Sequence, residues 1–97
     1  MARSTLTFAA ETTKNFAPNY IGGHEYNSTI QNLTDQTVTI TVTTQRIQEA
    51  SPTFDTPAGG AVVIAAGAIG AITAPYAGWL LTAGGSATGT VEIVEAG

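Results

Sequence analysis

The sequence predicts an all-β domain: a small antiparallel β-sandwich, jelly-roll or Ig-like, of about seven short strands with an extended N-terminal loop or arm. Three observations carry this. The segment TVTITVTTQRI alternates Val38, Ile40 and Val42 with Thr37, Thr39, Thr41 and Thr43, all β-branched residues that suit a pleated, half-buried surface. The same period of two recurs near both ends of the chain, at Leu6 and Phe8 and at Val91 and Ile93. The long uncharged run from Thr56 to Val91 is punctuated by Gly and Pro too often for a regular helix.

Taken in order, Ser4–Ala10 forms a first strand, with Leu6 and Phe8 on one side and Thr5, Thr7 and Ala9 on the other. In residues 11–26, ETTKNFAPNYIGGHEY, Pro18, Asn19, Gly22 and Gly23 break the period, which predicts a loop or arm. Its apolar members Phe16, Tyr20 and Ile21 are too many for an idle solvated loop, so they are expected either to pack back on the core or to dock on a neighbour. Asn27–Leu33 is the second strand, with Ile30 inward and Ser28 and Asn32 on the same side; Thr34, Asp35 and Gln36 make the turn into the third. Gln48–Gly60 is a connection anchored by Phe54, Ala61–Ala65 and Ala68–Thr73 are short strands, and Tyr76–Ala83 carries Trp79 and Leu81 on one face. GGSATG reads as a loop before a last strand, Thr90–Glu95.

The competing reading of the uncharged run is a membrane span. A transmembrane helix takes about 20 apolar residues, and the best window, Ala58–Ala74, stops short of that at Pro75 and consists mostly of Ala and Gly. Gly67 and Gly70 would each cost about 1 kcal/mol inside a helix. No Lys or Arg flanks the segment to orient it. Strands lie on both sides and need partner strands, so the run is expected to divide into strands and no membrane is expected as a partner.

Composition narrows the function classes. The 97 residues fit one domain, and without cysteine the small core gains nothing from disulfides, which makes a homo-oligomer a natural source of added burial. Only 10% of residues are charged, well under the usual quarter, so the surface is unusually neutral and is expected to be covered by partners. Three basic residues against seven acids give a net charge of −4, which disfavours nucleic acid and anionic membranes. The opening residues are too polar for a signal-peptide core, so synthesis in a cytoplasm is expected.

The chemistry-bearing residues are sparse. His24 is the lone histidine, and although GGHEY sets it beside Glu25, no second ligand lies at metal spacing; no metal and no cofactor are expected. Ser4, Ser28, Ser51 and Ser86 lack a nucleophile motif, and the Gly59-Gly60 and Gly84-Gly85 pairs lack the strand-to-helix setting of a phosphate loop, so an enzyme is not expected. The sequons at Asn27 and Asn32 are expected by chance in a Thr-rich chain. A Thr row on one strand alone is too narrow to bind ice or sugar and predicts an exposed strand or a subunit contact. Thr39, Thr41, Thr43, Ala68 and Ala71 are the candidate subunit interface, and Phe16, Pro18, Tyr20 and Ile21 the candidate contact to a larger partner.

Residues 71–97 also resemble the closing strands of the small β-sandwich capsid decoration, or cement, proteins of tailed bacteriophages. The likeness rests on Ile72 to Pro75, the Trp-Leu strand at Trp79–Leu81, the Gly-rich segment Gly84–Gly89 and the closing Thr-Val-Glu-Ile-Val strand. The resemblance implies a homotrimer on the outside of a virion, clamping neighbouring copies of the major capsid protein, with the Phe16–Ile21 arm on the shell. Two other classes share such a fold: a carbohydrate- or host-surface-binding module of a fibre or adhesin, and another small head or tail component. An open cluster of Tyr20, Tyr26, Tyr76 and Trp79 would mark the sugar binder; a buried Trp79 would mark the scaffold.

Overall fold

A computed structural model of the chain describes residues 2–18, 27–45, 51–73 and 76–95. It is all-β, an antiparallel sheet of six strands that nearly closes on itself. The strands are β1 (Ala2–Phe16), β2 (Ser28–Asn32), β3 (Val38–Thr43), β4 (Val62–Ile64), β5 (Ile69–Ile72) and β6 (Gly78–Glu95). The all-β sandwich expectation therefore holds, with six strands in place of about seven and with two of them long.

β6 is the spine. Along one edge it pairs with β1 from Ala2↔Glu95 to Phe16↔Trp79. Along its other edge it pairs first with β3, from Thr43↔Gly78 to Val38↔Ala83, and then with β2, from Asn32↔Val91 to Ser28↔Glu95. The turn between β2 and β3 follows the same edge: Leu33 N–H donates to Thr90 O at 2.8 Å, Thr88 N–H to Asp35 Oδ1 at 2.9 Å and Gly84 N–H to Thr37 O at 2.9 Å. β4 then adds to β3, and β5 to β2.

β1 and β6 bend at one level. β1 carries an extra residue at Ala10, whose φ of 58° is left-handed, and its register shifts on both sides of Glu11. β6 passes Ala83–Ser86 without a partner on β1. The sheet thus folds into two leaves. The first leaf holds β4, β3, the start of β6 and the end of β1; the second holds β5, β2, the end of β6 and the start of β1. Their inner faces meet in one core, with Trp79, Leu81, Ile40 and Val38 from the first leaf and Phe8, Ile30, Val91 and Ile93 from the second, each at most 1% exposed.

Two boundaries differ from the sequence expectation. Residues 11–16 belong to β1 and are not a loop or arm; the alternation fails there because the bulge interrupts the pleat, while the backbone stays paired. GGSATG does not separate two strands but lies inside β6. Its glycines fit the bend: Gly89 has φ 128°, and a Cβ built there would stand 2.6 Å from Leu33 O. Of the predicted arm, 19–26 lies outside the described residues.

The leaves are closed by the short turn joining β4 to β5, where Ala68 N–H donates to Ala65 O at 2.9 Å. Here Asn32 is completely buried and completely satisfied. Its main chain exchanges bonds with Ala68 and Gly67, its Nδ2 donates to Gln36 O and Ile64 O, and its Oδ1 accepts from Thr34 N–H and Thr34 Oγ1.

Candidate interaction surface

The outer side of the first leaf carries rows of side chains set by strand register. Thr13 lies opposite Thr82, Thr82 opposite Thr39, and Thr39 opposite Val63, so one row crosses β1, β6, β3 and β4. A second row runs Asn15, Leu80, Thr41. Neighbouring members stand about 4.8 Å apart, the interstrand spacing. Their inward neighbours Ile40, Leu81 and Trp79 are buried, which fixes the Thr side outward. Thr13, Asn15, Thr82 and Val63 are exposed, and Thr39, Thr41 and Leu80 half-buried.

No residue of these two rows is charged. The Thr row is therefore wider than the sequence implied, because Thr82 and Thr13 extend it onto two further strands. With Trp79 and Leu81 on one face Thr82 falls on the other, but nothing in the sequence pairs it with Thr39, and Thr13 lies beyond the bulge, where the alternation fails. Register alone brings them beside Thr39.

The outer side of the second leaf is more mixed. Its rows are Arg3, Val94, Thr29, Ala71 and Thr5, Glu92, Gln31, Ile69. Ile69 is 64% exposed and Leu33 49%. The two charges on these rows neutralise each other: Arg3 Nη2 lies 3.2 Å from Glu92 Oε1, which also accepts from Thr5 Oγ1 at 2.9 Å. The Thr5 hydroxyl first, and Arg3 second, hold the Glu92 carboxyl below its ordinary value of 4.5. On β1, Glu11 Oε1 accepts from Ala9 N–H at 3.1 Å and pairs with Lys14 at 3.0 Å, which lowers the Glu11 carboxyl for the same kind of reason.

The sequence-predicted residues do not converge. Thr39 and Thr41 lie on the first leaf's outer face, but Thr43 is 4% exposed and its hydroxyl accepts from Gln45 N–H. Ala71 is exposed on the second leaf, whereas Ala68 is half-buried against the core at the closing turn. Phe16, a candidate contact to the larger partner, takes the other course and packs back on the core at the end of β1, its ring centroid 5.1 Å from that of Trp79. Pro18 is half-buried just after β1, and Tyr20 and Ile21 lie outside the described residues, as do His24 and Glu25.

Concave and chemical features are modest. Two open clefts of about 300 and 430 Å³ flank Tyr76, whose hydroxyl accepts from Ala58 N–H at 3.0 Å. Among the described residues no group of three His, Cys, Asp or Glu is placed to hold a metal ion, and no helix is long and apolar enough to cross a membrane. Compared with known protein families, curated proteins and solved structures, the chain has no significant match.

Proposed function

We propose that this chain is a structural virion protein of the capsid-decoration type, which binds and stabilises a shell of the major capsid protein as a homo-oligomer. The observation that carries the reading is the first leaf's outer face, two uncharged rows of Thr, Asn, Leu and Val spanning four strands. A rigid, neutral, β-branched face suits shape-matched contact with another protein, where affinity comes from buried area and fit and depends little on ion pairs. The low overall charge and the capsid-protein likeness of residues 71–97 support the same reading.

The alternative of a sugar-binding module needs an open aromatic platform. Trp79 is 0% exposed and packs against Phe16 with the rings tilted by 56°, and among the described residues no aromatic side chain is exposed. That favours the scaffold. The test is compositional: mass spectrometry of purified particles from the chain's source is expected to find it in stoichiometric amounts with the major capsid protein. Its absence from intact particles would overturn the proposal.

A further inference from the structure

We propose that β1 is a self-pairing edge: two copies of this chain join antiparallel along Arg3–Ala9 to make one continuous sheet across a twofold axis. This rests on the homo-oligomer half of the proposed function and is independent of the capsid half.

The first step is the direction of the backbone groups. In an antiparallel ladder the N–H and C=O of one residue point to the same side, and successive residues alternate. Thr90 O accepts from Leu33, and both Thr88 N–H and Thr88 O bond to Asp35, so Thr88 and Thr90 direct their backbone groups away from β1. Their opposites on β1, Ala9 and Thr7, therefore direct theirs away from β6. By alternation Thr5 and Arg3 do the same, while Ser4, Leu6 and Phe8 make the ladder. Ala9 confirms the parity, since its N–H is taken by the Glu11 carboxylate and not by β6.

Among the described residues, no strand pairs with this outer side of β1. Free edges are commonly guarded by charges, bulges or proline. β1 has such guards at its start, where Arg3 stands, and in its second part, where the Ala10 bulge and the Glu11–Lys14 pair sit. Over Thr5–Ala9 the edge is neutral, extended and unguarded, with exposed Thr5, Thr7 and Ala9.

The occupant follows from self-complementarity. Outward residues must face outward residues, so Thr7 opposite the second copy's Thr7 sets Thr5 opposite Ala9 and, because Ala10 is the extra residue of the bulge, Glu11 opposite Ser4, one position from Arg3. Each copy then offers one cation and one anion to the other, twice across the axis. The exchange is also balanced in hydrogen bonds. Ala9 N–H passes from the Glu11 carboxylate to the second copy's Thr5 carbonyl, Glu11 turns to the second copy's Arg3, and Glu92 keeps the Thr5 hydroxyl. An antiparallel self-pair is twofold, so this contact yields a dimer and cannot by itself build the trimer that the capsid-protein likeness implies.

The test reads mass and amide exchange on the full chain in solution, without any shell. Sedimentation should give a concentration-dependent dimer, and the Thr5 and Thr7 amides should exchange at least about tenfold more slowly as dimer forms, while those of Leu6 and Phe8 stay protected throughout. Thr7→Pro removes an outward donor without touching the β1–β6 ladder and should abolish the dimer. Arg3→Glu and Glu11→Arg should each weaken it, and the double exchange should restore it. A chain that stays monomeric at millimolar concentration, or a dimer whose Thr5 and Thr7 amides remain unprotected, overturns the proposal. Exchange in the unmodified chain decides the matter even if Thr7→Pro does not fold. A monomer that nonetheless binds shells would sink the pairing and leave the capsid reading standing.

Discussion

The side-chain amide of Asn32 donates to the carbonyl of Ile64 at 2.9 Å, joining β2 to β4, two strands that share no ladder. Asn32 belongs to the second leaf and Ile64 to the first, so this buried bond fastens the leaves together with the main-chain bonds of Asn32 to Gly67 and Ala68 in the closing turn. Replacing Asn32 by Leu takes the acceptor from Thr34 N–H and the side-chain donor from Ile64 O, while Gln36 O keeps the Thr34 hydroxyl. Each buried orphan costs about 1–3 kcal/mol, and the expected loss is about 2–4 kcal/mol in urea unfolding. Asn32→Asp should be no milder, because it sets a carboxylate oxygen against two carbonyls. An unchanged urea midpoint in either variant would remove Asn32 from this role.

Gly89 and Gly84 make a second contrast inside β6. Gly89→Ala forces a left-handed φ on alanine and drives its Cβ to 2.6 Å from Leu33 O and 2.9 Å from Thr34 Cα. Strain of that kind costs about 1–3 kcal/mol before the clash is counted. Gly84→Ala meets nothing closer than Thr37 O at 3.7 Å and should shift stability by less than about 1 kcal/mol. Thermal unfolding of the pair separates them, and equal effects would contradict the bend described for β6.

Glu92 gives a pH prediction with a definite sign. Its folded-state carboxyl is lowered from 4.5 by the Thr5 hydroxyl and then by Arg3. A lowered carboxyl contributes stability above its unfolded value and loses that contribution as pH falls through the lower folded value. NMR titration should place Glu92 below 4.5, and Thr5→Val, which removes the first cause and keeps the shape, should move the midpoint upward. No movement in Thr5→Val would show that the hydroxyl does not hold the charge.

Much of this fold can be read from the residues. β3 was legible because every member is β-branched and the polar ones all fall on one side. Leu6 with Phe8, Ile30 with Asn32, and Val91 with Ile93 likewise declare their inner faces, and all but the half-buried Leu6 are buried. The continuity of the long strands was hidden. At Ala10 one extra residue breaks the alternation without breaking the pairing, and Gly84–Gly89 has loop composition although, of its three glycines, Gly89 alone takes a left-handed φ. The first leaf's surface was half legible for a related reason. Thr39 and Thr41 reveal themselves by periodicity, but Thr13 and Thr82 join them only through registers that no local pattern encodes.

The outer face of the first leaf is the centre of this account, and Thr82 lies in the middle of its main row. Thr82→Lys is exposed enough to keep the fold, yet puts a charge into a neutral contact, where an unpaired buried charge is poorly tolerated. Ala71→Lys puts the same charge on the other leaf. The direct measurement is co-sedimentation of the folded chain with shells of the major capsid protein from its source, repeated up to about 1 M salt, where the Debye length falls to about 3 Å. The expected result is saturable binding that survives the salt, is lost in Thr82→Lys, and is less affected in Ala71→Lys. Binding that disappears in moderate salt, or that Thr82→Lys leaves intact, would contradict it.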